Sequence, residues 1–314
     1  MKDIDVDVSV IICTYNSDIT KLKKTIFSVI TQKKLCLEII ISDDGSSYFN
    51  ETEIHSFFSE KDFVNYKIYV SPTNLGTVKN IYMGVNNARG KYVYIISPGD
   101  LFYSEHTLFD LYCFCENNHC KFCFGDAINY ESKDGEIVFT KSKFPKNPDI
   151  YIKTKFSYRI ALIGFFAKQQ PIGATYFRDR KEALHYFALI QDKIKYVEDY
   201  PSTAMFLLDN KKLLYCEKPV IWYEYGSGIS TSGSKIWKER IGKDFAIARN
   251  MLLEMYPKNK IVIVKYPESK LIRLMHPLIS ICGILIELIG ELKYRLKQEK
   301  LNTEFIMYVN QKYE

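Results

Sequence analysis

The first hundred residues alternate between two periods of apolar and polar positions. Val8–Cys13 is a short, continuous apolar run rich in β-branched residues. After the turn formers Asn16, Ser17 and Asp18, Leu22, Ile26, Val29 and Ile30 recur at i, i+4, i+7 and i+8, the spacing of one helical face. Leu37–Ile41 predicts a second strand that ends at Asp43-Asp44-Gly45-Ser46, and Tyr66–Val70 a third. Leu75–Ala88 predicts a helix closed by Gly90, and Tyr92–Ile96 a fourth strand ending at Ser97-Pro98-Gly99-Asp100. Unalternating apolar strands separated by amphipathic helices define an α/β protein whose sheet is mostly parallel, Rossmann-like and covered by helices.

The middle is less regular. Asp134-Gly135 between Ala127–Glu131 and Glu136–Thr140 signals a hairpin. Lys141–Lys155 is basic and proline-broken, a surface segment by pattern. Pro171–Phe177 predicts a strand, Asp179 the N-cap of a helix through Ile190, and Pro201 the first turn of a helix that follows Tyr196–Tyr200. Gly226–Ser234 is Gly/Ser-rich and predicts a mobile loop. From Lys235 the pattern is helical to the end. The expected organisation is a catalytic unit over 1–232, with halves at about 1–130 and 131–232, and a C-terminal helical appendage over 233–314.

Composition narrows the classes. In 314 residues, 43 Lys and Arg stand against 37 Asp and Glu. That dispersed excess does not make a nucleic-acid face, so no nucleic-acid partner is expected. The N-terminus holds Asp3, Asp5 and Asp7 and no apolar core of a signal peptide, which predicts a cytoplasmic chain with reduced thiols. Of the clustered Cys113, Cys115, Cys120 and Cys123, only the last pair has zinc-like spacing, which leaves zinc or, as the plainer reading, buried free thiols. Between Arg273 and Glu287 lie thirteen uncharged residues broken by Pro277, too few to cross a bilayer.

Candidate chemistry collects at the strand ends. Thr14, Tyr15 and Asn16 follow the first strand, Asp43 and Asp44 the second, Asn74 and Gly76 the third, Gly99 and Asp100 the fourth. In open parallel sheets ligands bind beyond these carboxyl ends. Asp, Asn and Gly also form ordinary turns, but four consecutive ends favour a site. Several enzyme classes drop out: Gly84 to Lys91-Tyr92 lacks the phosphate-loop spacing, strand one is not followed by G-x-G-x-x-G, no H-E-x-x-H occurs, and Gly228–Ser232 fails the nucleophile elbow.

The remaining constellation resembles the family 2 glycosyltransferases, inverting enzymes of the GT-A fold. The resemblance rests on Val8–Asn16, Glu38–Ser46, Asn74-Leu75-Gly76 with Lys79-Asn80, Ala88–Tyr92, and Glu198-Asp199 about a hundred residues beyond Asp100. It implies a nucleotide-sugar donor, a UDP-sugar foremost, and a glycan or lipid-linked glycan acceptor. Thr14 and Tyr15 would line base and ribose, Asp44 would accept a hydrogen bond from the pyrimidine, and Lys79 would lie near the phosphates. Asp100 would bind Mn²⁺ or Mg²⁺, and Asp199, or its neighbour Glu198, would be the catalytic base. Two departures stand out. The D-x-D metal motif reads Pro98-Gly99-Asp100, and Glu224 occupies a place where the family usually has a basic residue.

Plainer readings stay open for individual residues: a turn cap for Asp44, a helix-dipole partner for Asp199, a solvated face for Lys79. A nucleotidyltransferase, or a non-catalytic sugar-nucleotide-binding descendant, are the competing functions. At the C-terminus Leu271, Leu274, Leu278, Ile281 and Leu285 recur at helical spacing, with Lys293, Arg295, Lys297 and Lys300 beyond. The pattern suits a helix lying on the inner face of the plasma membrane, or one packed on the catalytic unit or on a second copy in a homodimer.

Overall fold

The computed structural model describes residues 5–133, 136–141, 145–152, 157–226, 234–269, 276–296 and 301–313. Its N-terminal half is a parallel sheet of β1 (Val8–Thr14), β2 (Leu37–Asp43), β3 (Tyr66–Val70) and β4 (Tyr92–Ile96), ordered β3-β2-β1-β4. The continuous apolar runs have a direct cause. Val10 and Ile12 join a core beneath α1 (Ile19–Ile30), whereas Ile11, on the other face, packs with Ile40, Val78 and Ile81 of a second core beneath α3 (Thr77–Asn86). Both faces are buried, so the few polar positions in these strands are themselves buried and paired, as Ser9 is with Glu38 at 2.7 Å. Asp18 caps α1, accepting from the Lys21 N–H at 2.9 Å.

The other half of the sheet is mixed. β8 (Tyr176–Asp179) runs antiparallel to β4, followed by β6 (Phe122–Lys133), β9 (Leu214–Glu224) and the short edge strand β5 (Leu101–Phe102). β7 (Glu136–Lys141) pairs antiparallel with β6 as the hairpin signal predicts; Asp134 and Gly135 themselves lie outside the described residues. The loop expected at Gly226–Ser234 likewise falls mostly outside them, over 227–233.

Three local differences have physical reasons. The stretch from Pro171 is a strand only from Tyr176. Thr175 turns back, its N–H and hydroxyl both donating to the Ile172 carbonyl at 2.9 and 2.7 Å, and Gly173–Thr175 form a 3₁₀ turn. The basic stretch after Lys141 is not all solvated, because Tyr151 is fully buried and donates to the Gln169 carbonyl at 2.7 Å. The sequence pattern passed over α2 (Glu51–Glu60), whose short apolar face is Ile54, Phe57 and Phe58 behind an Asn50 cap.

α4 (Thr107–Asn118), α5 (Ser157–Phe166), α6 (Arg180–Ile190) and α7 (Asp199–Leu208) complete the sheet's cover. The C-terminal helices are α8 (Lys235–Met255), α9 (Lys260–Lys265), α10 (His276–Leu296) and α11 (Glu304–Lys312). α8 packs on α7, and α11 returns to α1, burying Ile306 and Val309 completely. All eight cysteines are free thiols, and Cys115, Cys120 and Cys123 meet in the core at Sγ separations of 3.4 and 3.5 Å. Among the described residues no helix is long and apolar enough to cross a membrane.

Candidate active site

The ends of β1, β2 and β4 and the start of α7 open into one cleft of about 970 Å³. Thr14, Tyr15, Asp44, Asn74, Asp100, Glu198 and Asp199 all line it. The dispersed candidates of the sequence therefore converge on one site.

Asp44 ties the strand ends together. Its N–H donates to the Thr14 carbonyl at 2.9 Å, and its carboxylate accepts from the N–H groups of Leu75 at 2.7 Å and Gly76 at 2.9 Å. Gly76 has φ +96°, and a Cβ there would strike the Lys195 side chain, so this corner requires glycine. Burial raises the Asp44 pKa above its ordinary value against the pull of the two N–H donors and Lys195. Each oxygen keeps lone-pair capacity for a ligand N–H. Thr14 is buried beside it, while Tyr15 is half exposed at the rim.

Four candidates are not among the lining residues of the cleft: Gly76 and Gly99 shape the chain beside it, and Asn16 and Lys79 make contacts elsewhere. Asn16 stitches the loops after β1 and β2: its N–H donates to Ser46 Oγ at 2.6 Å and its Oδ1 accepts from the Ser47 N–H at 2.9 Å. Lys79 is not among the lining residues; its Nζ pairs with Asp192 at 3.0 Å on the surface.

Asp100 is 5% exposed. It accepts from the Glu224 N–H at 2.9 Å, and β9 thereby brings the Glu224 side chain against Gly99. Gly99 has φ +102° and no room for a Cβ. Burial, then the Glu224 charge, push the Asp100 pKa up to about 8 against the N–H donors and Lys21. Lys21 pairs with Glu224 at 2.7 Å. Among the described residues no three His, Cys, Asp or Glu side chains form a preformed metal cage. The donor set nevertheless fits a hard divalent cation. The Asp100 and Glu224 carboxylates are hard oxygen donors, the charge of one acting on the other, and donor phosphates and water would complete the shell of an ion that shares Glu224 with Lys21.

Glu198 and Asp199 begin α7. Asp199 accepts from the Tyr200 N–H at 2.7 Å, and a Cβ on Gly173 would come within 3.1 Å of Asp199 Oδ2. Burial raises the pKa of both carboxyls, and the charge of Asp199 raises that of Glu198 further. A carboxyl held above its usual range in a cleft is suited to take up a proton near neutral pH.

Sequence reasoning missed the cations and the wall. Arg178 of β8 is buried among Phe122, Tyr176 and Phe187, its guanidinium 4.6–5.0 Å from the three ring centres. Its Nε and Nη2 meet no hydrogen-bond partner among the described residues, and its charge draws the pKa values of Glu198 and Asp199 down. Lys195, Tyr196, Trp237 and Arg240 form the opposite wall, with Arg240 4.9 Å over the Trp237 ring. α8 is thus a wall of the cleft. The basic-aromatic spacing Trp237, Arg240 was the available signal, one helical turn apart.

Comparison with known proteins gives the family and the fold. Glycosyl transferase family 2 matches residues 9–181, more than half of the chain, and the chain belongs to that family. Glycosyltransferase GlyA of Streptococcus pneumoniae serotype 4 is 26% identical over 241 residues, 76% of this chain and 33% of the relative. The chain thus spans about a third of that relative's length. Among solved structures, residues 1–349 of S. aureus TarS align with a TM-score of 0.54 and 19% identity over 93% of this chain and 92% of that one. The mannosyltransferase PcManGT of Pyrobaculum calidifontis aligns with a TM-score of 0.57 and 13% identity, covering 90% and 74%. The fold is GT-A.

Proposed function

We propose that the cleft transfers a hexosyl or N-acetylhexosaminyl group from a nucleotide sugar, a UDP-sugar foremost, to a hydroxyl of a glycan or lipid-linked glycan, with inversion. The observation that carries this reading is the meeting of Thr14, Tyr15 and Asp44 with Asp100 and the Glu198-Asp199 pair in one cleft. Structures of the same fold hold UDP-GlcNAc in TarS and GDP-Man with Mn²⁺ in PcManGT. We take the reaction to be cytoplasmic, where nucleotide sugars are made.

Thr14, Tyr15, Asn74 and Asp44 receive base and ribose, and Lys195 and Arg240 give the diphosphate side positive charge. Asp199 takes the proton of the acceptor hydroxyl as that oxygen bonds to the anomeric carbon. The bond from that carbon to the diphosphate oxygen breaks, and the nucleoside diphosphate leaves with the electron pair. One displacement inverts the centre. Mn²⁺ or Mg²⁺ held by Asp100 and Glu224 would supply positive charge to the leaving oxygen.

The deciding experiment incubates the chain with nucleotide sugars and with glycan and lipid-linked acceptors, following phosphorus and anomeric proton NMR. Acceptor-dependent release of nucleoside diphosphate and an inverted product are expected. Release of pyrophosphate would make the protein a nucleotidyltransferase. A product with retained configuration, or donor binding with no turnover on any acceptor, would overturn the proposal.

A further inference from the structure

α10 is docked with its apolar side outward. It packs on α5 and α9 through its small and polar positions. Gly283 lies against Ala167, Gly290 against Lys146 and Asn147, Asn147 Nδ2 donates to the Ile286 carbonyl at 3.0 Å, and Glu287 pairs with Lys146. Leu278, Ile281, Ile284, Leu285, Leu288 and Ile289 point away, each 51–57% exposed. At 100° per residue these six cover roughly 140° of the circumference, the width of an apolar face that ordinarily turns inward. A helix lying against the protein by its glycines, with six large aliphatics in water, is poorly accounted for by its own fold.

Charge identifies what covers it. From residue 257 to 300 there are nine Lys and Arg against four Glu. The neighbouring stretch 141–168 adds seven Lys and Arg against a single acidic residue, Asp149. A second copy related by a two-fold axis would set like-charged flanks against each other, whereas an anionic bilayer complements them.

We propose that the outward face of α10 lies in the interface of an anionic membrane, its aliphatics at the acyl boundary and the surrounding cations at the headgroups. This rests on the function proposed above and deepens it by selecting the lipid-linked of its two acceptor classes. Ala167, against which Gly283 packs, is three residues from Gln170 on the cleft wall, so the membrane contact and the acceptor entrance lie on neighbouring segments. The aliphatic face supplies depth and the cations supply selectivity for anionic lipid.

Flotation of the full chain with vesicles of phosphatidylcholine alone, and of phosphatidylcholine with phosphatidylglycerol, tests this. The chain should float with the phosphatidylglycerol vesicles only, and raised salt should weaken the binding. Replacing Ile281, Leu285 and Leu288 together by Gln should cut the floated fraction at least about tenfold, as three buried aliphatics would, with nucleoside diphosphate affinity unchanged. A polarity-sensitive probe on the exposed Cys282 should shift to the blue on vesicle addition. No flotation of the wild-type chain, no loss in the triple variant, or a dimer that the triple variant converts to monomer would each overturn the proposal. Loss of nucleotide binding in the wild-type chain would instead refute the function and leave the membrane result standing.

Discussion

Asp244 of α8 grips the backbone of Tyr196, accepting its N–H at 2.6 Å two residues before Glu198. The same carboxylate accepts from the N–H groups of Val197 at 3.1 Å and Lys195 at 3.4 Å. Three donors that no strand or helix employs are thus satisfied by one buried side chain from the C-terminal region. The grip orients both the Lys195–Tyr196 wall and the acid pair that follows.

Asp244→Ala should therefore lower stability by about 1–3 kcal/mol, the cost of leaving buried donors unpaired. It should also lower turnover by more than that loss explains in the fraction still folded. Thermal unfolding and kcat measured on the same sample check this. Unchanged kcat in a merely less stable protein would confine Asp244 to folding.

Asp199→Asn keeps the shape of the side chain and its bond from the Tyr200 N–H but removes the base. Turnover should fall by about 10²–10⁴-fold while nucleoside diphosphate affinity stays within about twofold. Glu198→Gln is the control. If it alone produces the loss, the base is Glu198 and the roles within the pair are reversed.

Much of this site was legible in the chain because the parallel half of the sheet is so regular. Tyr92–Ile96 stands where the apolar run places it, since a strand buried on both faces leaves an unbroken signature, and the half-buried edge strand Tyr66–Val70 was legible from its aromatic and β-branched residues. Asp44 and Asp100 could be read because their loops follow such strands, and Asp199 because it opens a helix with Pro201 in its first turn. Arg178 could not. Its meaning comes from antiparallel pairing with β4 and β6, at Val93 and Phe122, a non-local arrangement that leaves no period in the sequence. Lys79 shows the converse limit, since its spacing on α3 is consistent with either face, and only packing against α6 sends it to Asp192. The face of α10 was read as apolar, but which way it points depends on Gly283 and Gly290, whose value lies in what they allow to approach.

The raised pKa of Asp100 yields a stability prediction. A carboxyl whose pKa rises from 3.8 when unfolded to about 8 when folded holds its proton more tightly in the fold. Its contribution is therefore complete below the unfolded value and is lost as the pH rises through about 8. Without metal or nucleotide, Asp100→Asn should raise Tm by about 2–4 °C at alkaline pH, with little change near pH 4. The same variant should lose the stabilisation that Mn²⁺ with nucleoside diphosphate confers on the wild type. Differential scanning calorimetry across pH, with and without these ligands, measures both. A variant that responds to Mn²⁺ and nucleotide as the wild type does would move the metal site away from Asp100.

Arg178 governs the acid pair from behind. The charged and titratable groups that act on Glu198 and Asp199 are Arg178 and Tyr176 of β8, with Cys13 of β1 and Asp44 just after β2 nearby in the cleft. Among them Arg178 is the cation whose charge lowers the pKa of both carboxyls. Burial lowers the pKa of the guanidinium itself, an energetic cost that packing among three rings and the two nearby carboxylates offset. Arg178→Met keeps much of the volume and removes the charge. Without it both carboxyls hold their protons to higher pH, so the acid limb of kcat/KM should move toward alkaline pH. The loss of activity should then be several-fold greater at about pH 6 than at about pH 9. Arg178→Lys, which retains a charge with fewer donors, should fall between the two. If Arg178→Met does not fold, the lysine variant's profile still decides the point. A pH profile unmoved in every variant that folds would reduce Arg178 to a packing residue for Phe122, Tyr176 and Phe187.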